Sequence, residues 1–112
     1  MIKNAIHLKN KVSIMIPSTK NAIEKIDNEK YVNESIILFS ELFGGVTVLN
    51  CQGGYISSKY GLIKENVKNV FSYCEELTPE NIASILEFIE RLKVELKQEC
   101  IALEINNNMY LV

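Results

Sequence analysis

All five glycines of the chain, Gly44, Gly45, Gly53, Gly54 and Gly61, fall in one stretch, FGGVTVLNCQGGYISSKYGLIKE, from Phe43 to Glu65. Glycine is used where the backbone takes an unusual conformation or where something must approach it closely. The polar residues between the glycines, Thr47, Asn50, Gln52, Tyr55, Ser57 and Ser58, offer hydroxyls, amides and one aromatic ring. Such a set suits a small polar or nucleotide-like ligand. The Tyr55 ring would stack on a planar group and its hydroxyl would hydrogen-bond. The ligand-binding residues expected on this basis are Gly44, Gly45, Thr47, Gly53, Gly54, Tyr55, Ser57 and Glu65. The competing reading is structural, with Gly44-Gly45 as a helix cap and close crossing, and Gly53-Gly54 as a tight hairpin. Neither G-x-x-x-x-G-K-[ST] nor G-x-G-x-x-G is present, so the standard phosphate-cradling loops are absent.

Glu65 and the pair Gln98-Glu99 are the candidates for acid–base work. General acid–base catalysis needs two such groups at one site. Nothing in the spacing brings Glu65 and Glu99 together. His7 stands in the N-terminal arm without a partner nucleophile, and no serine occupies a G-x-S-x-G elbow. Cys51, Cys74 and Cys100 are odd in number and widely spaced, which is neither a secreted disulfide framework nor zinc-finger spacing. We therefore expect reduced cysteines, no metal, no cofactor and no assigned catalytic residue.

These residues belong to a chain of 112, the size of one domain, with residues 1–10 as a loose arm. It is 47% hydrophobic and 23% charged, as soluble globular proteins are. A net charge of −2 argues against bulk nucleic-acid binding. Lys3, Lys9, Lys11 and Lys20 precede the first acid, Glu24, and make a mildly basic arm that reads as solvated surface. No apolar run approaches the roughly 18 residues of a membrane span. The N-terminus lacks the apolar core of a signal peptide, so a cytoplasmic location is expected.

The elements that must position the glycine-rich stretch follow from periodicity. Val12, Ile14 and Ile16 alternate as a half-buried strand that Pro17 stops. Ile23 and Ile26, in segment 20–27, have helical spacing over a short run. A helix is expected from Asn28 to Phe43, with Asp27 capping, a stripe of Val32, Ile36, Phe39 and Phe43, and Gly44 as its C-terminal cap. Val46 to Leu49 reads as a strand, Gln52-Gly53-Gly54 as a turn or bulge, and Tyr55 to Ser57 as a short returning strand. A further strand covers Glu65 to Cys74, with Phe71 and Tyr73 on one face. Thr78-Pro79 opens a helix over residues 79–97, with Ile82, Ile85, Leu86, Ile89, Leu92 and Leu96 as its buried stripe and Glu87–Arg91 as a surface pair. Ile101, Leu103 and Ile105 form a strand, the three asparagines 106–108 a turn, and Met109 to Val112 a closing strand. The order implies an α+β fold of the ferredoxin-like split βαβ type. Its antiparallel sheet is covered on one face by two helices and extended by a C-terminal hairpin strand.

At the same residues the chain resembles a family of small bacterial, phage and plasmid proteins of uncharacterised activity. Their pattern of F-G-G-x-T, G-x-W, G-x-x-x-E and Q-E stands here as Phe43-Gly44-Gly45-Val46-Thr47, Gly53-Gly54-Tyr55, Gly61 to Glu65, and Gln98-Glu99. Tyr55 replaces the tryptophan of the pattern. The resemblance implies a ferredoxin-like fold and a phage or mobile-element setting, and brings no activity with it.

The function expected from these features is a non-enzymatic binding protein, a homo-oligomer that sequesters a small polar or nucleotide-like ligand. Two alternatives stand beside it. One is an inhibitor that binds a host protein through an exposed surface. The other is a small enzyme using Glu65 and Glu99 as acid and base.

Overall fold

A computed structural model describes residues 2–21 and 23–112. Strand β1 (Asn10–Pro17) leads into a small hairpin, β2 (Thr19–Lys20) and β3 (Glu24–Lys25). Helix α1 (Glu29–Phe43), strands β4 (Thr47–Ser57) and β5 (Gly61–Cys74), helix α2 (Pro79–Leu96) and strands β6 (Ala102–Ile105) and β7 (Asn108–Leu111) follow. The main sheet has the order β4-β5-β1-β6-β7, and every neighbouring pair is antiparallel. This is the expected ferredoxin-like arrangement, with β7 added at one edge.

Alternation along β1 decides which face is covered. Val12, Ile14 and Ile16 are fully buried, and Ile14 pairs with Val70 on one side and Leu103 on the other. These residues form one core with Val32 and Phe39 of α1 and with Ile85, Ile89, Leu92 and Leu96 of α2. The opposite face carries Lys11, Ser13 and Met15 of β1 opposite Tyr73, Phe71 and Asn69 of β5. No helix covers it.

Both helices are closed by local chemistry. The cap of α1 is Asn28 rather than the expected Asp27, and its side chain makes no capping bond. Asp27, one residue earlier, accepts from the Glu29 amide at 3.0 Å, and Gly44 at φ 89° ends α1 by donating its N–H to the Ser40 carbonyl. Thr78 and Asn81 exchange side-chain and backbone hydrogen bonds in a reciprocal box, and Pro79 begins the helix. In the α2 stripe Ile85, Ile89, Leu92 and Leu96 are buried, but Ile82 and Leu86 are only half-buried, and Phe88 is a buried member the stripe did not include. Arg91 pairs with Glu34 of α1 and with Glu95, not with Glu87. The Arg91 hydrogen bond holds the Glu95 carboxyl below the usual carboxylate range. Helical i,i+4 spacing offered Arg91 two acids, and the neighbouring helix selected between them.

Two local readings are corrected. Segment 20–27 contains the β2–β3 hairpin rather than a helical turn. Asn21 takes a left-handed φ of 55°, its amide donates to the Leu96 carbonyl, and Ile26 donates to Ser18. The second correction concerns the glycine pair. Gly53 and Gly54 are not a turn: they lie inside an unbroken β4, opposite Glu65 and Lys64. Tyr55 to Ser57 therefore continue outward, and the chain reverses only at residues 58–60. There the Ser57 hydroxyl accepts from the amides of Lys59 and Tyr60 at 3.2 and 3.1 Å, and Gly61 at φ 75° completes the reversal. Pairing of β5 with β1 stops at Val67, opposite Pro17, while pairing with β4 continues to Gly61. A two-stranded ribbon thus projects from the sheet, and the molecule measures 54 Å along its longest axis against 25 and 22 Å across.

Candidate functional site

Glu65 lies two residues beyond Val67, where β5 has lost its β1 partner, on the same face of the ribbon. The chain leaving β1 turns over this point. The Ser18 amide and the Thr19 hydroxyl both donate to Glu65 Oε1, at 3.2 and 2.8 Å. Among the described residues Oε2 accepts no hydrogen bond. Lys97 closes α2 in a left-handed conformation, φ 51°, and so places Gln98 beside the same turn. Gln98 Nε2 donates to the Thr19 carbonyl at 3.0 Å. Buried Thr19 thereby joins Glu65 to Gln98 across sequence separations of 46 and 79 residues. Glu99 follows as an exposed carboxylate. The sequence flagged Glu65 and Gln98-Glu99 but missed Thr19. A threonine after Pro-Ser carries no signal beyond its hydroxyl.

Two neighbours shape the space in front of Glu65. Gly53 is its direct cross-strand partner, and a Cβ built there would meet nothing within 4 Å. The glycine leaves a gap beside the carboxylate rather than accommodating a present neighbour. Tyr55 is two residues further along the same face and is 48% exposed. A polar cleft of about 450 Å³ opens at the ribbon root, lined by Ser18, Asn28, Asn50, Cys51, Asn66, Val67 and Lys68. Glu65, Gly53 and Tyr55 thus form an open shelf, while Asn50, Asn66 and Lys68 of the cleft stand on the other face of the ribbon.

The other expected ligand residues lie elsewhere. Gly44 is the α1 cap, and Gly45 uses its carbonyl to accept from the Ser72 hydroxyl. Thr47 is exposed at the far end of β4, beside a hollow of about 240 Å³ that also includes Gly45, Phe71 and Tyr73. Eight strand residues separate Thr47 from Tyr55, roughly 26 Å at the usual rise, so one small ligand does not touch both. Ser57 holds the ribbon turn, and Gly54 would place a Cβ 3.5 Å from the Ile63 carbonyl. A larger hollow of about 600 Å³ lies between the helices. It is lined by Glu34, Ile37, Leu38, Glu41, Ser84, Glu87, Phe88 and Arg91, and includes none of the expected site residues.

Among the described residues no group of three His, Cys, Asp or Glu is placed to hold a metal. The three cysteines are unpaired, and burial pushes the Cys74 thiol above its ordinary range. Among the described residues no helix is long and apolar enough to cross a membrane.

No family model matches the chain, and no curated protein does. Two solved structures share its fold over its whole length. One is a phage SAM lyase in its apo state, with a TM-score of 0.70, and the other a phage SAM lyase in complex with S-methyl-5'-thioadenosine, with a TM-score of 0.69. Each is 16% identical to this chain, covering 100% of it and 95% of the matched chain. The expectation of a non-enzymatic binder is corrected at this point, because these counterparts of the fold are an enzyme.

Proposed function

We propose that the chain is a small enzyme that cleaves a sulfonium nucleoside of the S-adenosylmethionine kind at the ribbon root, releasing S-methyl-5'-thioadenosine. The observation that carries this reading is Glu65, with one oxygen held by Ser18 and Thr19 and the other without a hydrogen bond among the described residues, opposite Gly53 and on the face of half-exposed Tyr55. The shared fold of the lyase that holds methylthioadenosine supports the choice of substrate.

The chemistry asks little of the protein beyond placement. Sulfur leaves a sulfonium as a neutral thioether, taking the electron pair of the broken carbon–sulfur bond, so no general acid is needed at the leaving group. A lyase adds no water. The bond that replaces carbon–sulfur therefore forms within the substrate's own amino-acid arm: a carboxylate oxygen bonds to the γ-carbon as sulfur departs, and the arm leaves as a cyclic ester. What the site supplies is an anion that binds the cationic centre and holds the arm in line for attack, and such orientation can be worth several orders of magnitude. Glu65 provides the anion, and Tyr55 provides a stacking surface for the nucleobase.

The test is direct. The purified chain is incubated with S-adenosylmethionine, and release of methylthioadenosine is followed by chromatography. We expect turnover, together with a thermal shift on adding methylthioadenosine alone, since a ligand of the folded state stabilises it by mass action. Absence of both release and shift would overturn the proposal.

The uncovered sheet face bears on assembly. Leu49, Tyr73 and Met109 are about half exposed on it, and Leu111 at its edge is 71% exposed. Apolar patches of this kind usually mark contacts, and closed homo-oligomers are the common way to cover them. We therefore propose a homo-oligomer built on this face. Light scattering at tens of micromolar should give a multiple of the 12.7 kDa chain mass. A monomer mass would count against it.

A further inference from the structure

We infer that the ribbon is a docking arm for a second copy of the chain, with its tip seated in the hollow between α1 and α2 of that copy. The contact uses the ribbon face turned away from Glu65, and it stands independently of the lyase reading.

The tip is apolar where its own chain leaves it uncovered. Ile56 stands opposite Leu62 across the ribbon, and the two are 82% and 65% exposed. Tyr60, in the reversal, is half-exposed, with Lys59 Nζ 5.2 Å from its ring centre. Lys64 is exposed, and lies on the same face as Leu62, two residues along the strand. From Asn50 to Lys64 the sequence holds no acid, and the next one, Glu65, is on the other face. The end of the ribbon is thus an apolar wedge flanked by two cations. The strand from Val67 to Gly61 spans roughly 20 Å, so the wedge stands clear of the body. Apolar surface presented in this way usually marks a contact.

The hollow between the helices has the complementary character. Ile37, Leu38 and Phe88 supply its apolar surface, and Glu41 and Glu87 are exposed beside them. Its one cation, Arg91, is already engaged by Glu34 and Glu95. Among the described residues neither Glu41 nor Glu87 has an ion-pair partner. About 600 Å³ gives room for the paired Ile56 and Leu62 side chains. Lys59 and Lys64 then meet Glu41 and Glu87, so both polarity and charge are matched. No ribbon residue lines the hollow of its own chain. Each copy therefore offers one tip and one hollow, and the contact joins unlike surfaces. Copies link head to tail, closing into a ring or running on as a chain. The contact uses no residue of the uncovered sheet face, so it is distinct from the oligomer proposed there.

Sedimentation of the purified chain over a range of concentrations tests this. Leu62→Asp should weaken the association about ten- to hundredfold, the range for losing one buried leucine from a contact. Added salt should weaken it too, since the charges that meet are near the surface. Lys64→Glu and Glu87→Lys should each weaken it alone. An equimolar mixture of those two variants should recover it, because each then offers the tip that the other's hollow accepts. The two changes in one chain should recover it as well. Leu62, Lys64 and Glu87 are all exposed, so these variants should fold. Leu49→Asp, on the uncovered sheet face, should leave the salt-sensitive step in place. A wild type that stays monomeric, an assembly that Leu62→Asp leaves at its wild-type mass, or a charge swap that recovers nothing would overturn the inference. The tip would then serve a different protein or stand in solvent.

Discussion

Glu65→Gln should lower the release of methylthioadenosine by about a hundredfold or more, the scale on which a positioned charged group acts in catalysis. The substitution keeps the shape of the side chain. The amide oxygen would turn toward the Ser18 amide and the Thr19 hydroxyl, which now donate to Oε1. The amide nitrogen would then face the position of free Oε2 and present a donor to a cationic substrate. Charge is lost where it is needed while the network to Gln98 survives. Two companions separate the possible roles. Glu99→Gln removes the exposed carboxylate next to Gln98 and should cost activity only if Glu99 acts with Glu65. Gly53→Val should also abolish turnover, by filling the gap beside Glu65. It should leave the melting temperature nearly unchanged, because Gly53 has no positive φ and its Cβ would meet nothing within 4 Å. A β-branched residue also suits a strand. Undiminished turnover in Glu65→Gln would end the assignment of this carboxylate.

Ile89→Ala should cost about 2–5 kcal/mol of folding stability through the cavity it leaves. Ile89 is fully buried in the single core that joins α2 to the sheet, with Ile14, Val70 and Leu103 among the same residues. Against a total of roughly 5–15 kcal/mol for a domain of this kind, that is a large fraction. Leu86→Ala, on the same stripe, should cost less because Leu86 is only half-buried. The midpoint of chemical denaturation reads both. An unchanged midpoint for Ile89→Ala, or a larger shift for Leu86→Ala, would contradict the packing of α2.

The contrast between Leu86 and Ile89 shows how far the sequence alone reaches. Helical periodicity identified the stripe, since spacing is a property of the chain itself. It could not rank the members, because burial depends on where the sheet passes under the helix. Gly44, Thr78 and Pro79 marked helix ends from their own chemistry, and the alternation of Val12, Ile14 and Ile16 marked the covered face of β1. The strand–helix order then implied the ferredoxin-like topology.

Tertiary structure decided the glycine-rich stretch. Gly53-Gly54 looked like a turn because glycine favours turns locally. Cross-strand pairing with Glu65 and Lys64 overrode that preference and carried β4 on to Ser57. The same pairing separated Thr47 from Tyr55 and divided the expected ligand set. It also placed an empty glycine opposite Glu65, which no local pattern indicates. The meeting of Glu65 and Gln98 on Thr19 depends on the β1 exit, the β5 ribbon and the α2 cap converging at one point. Residues so far apart in the chain leave no periodic trace of their contact. Only the packed sheet and helices bring them within hydrogen-bonding distance.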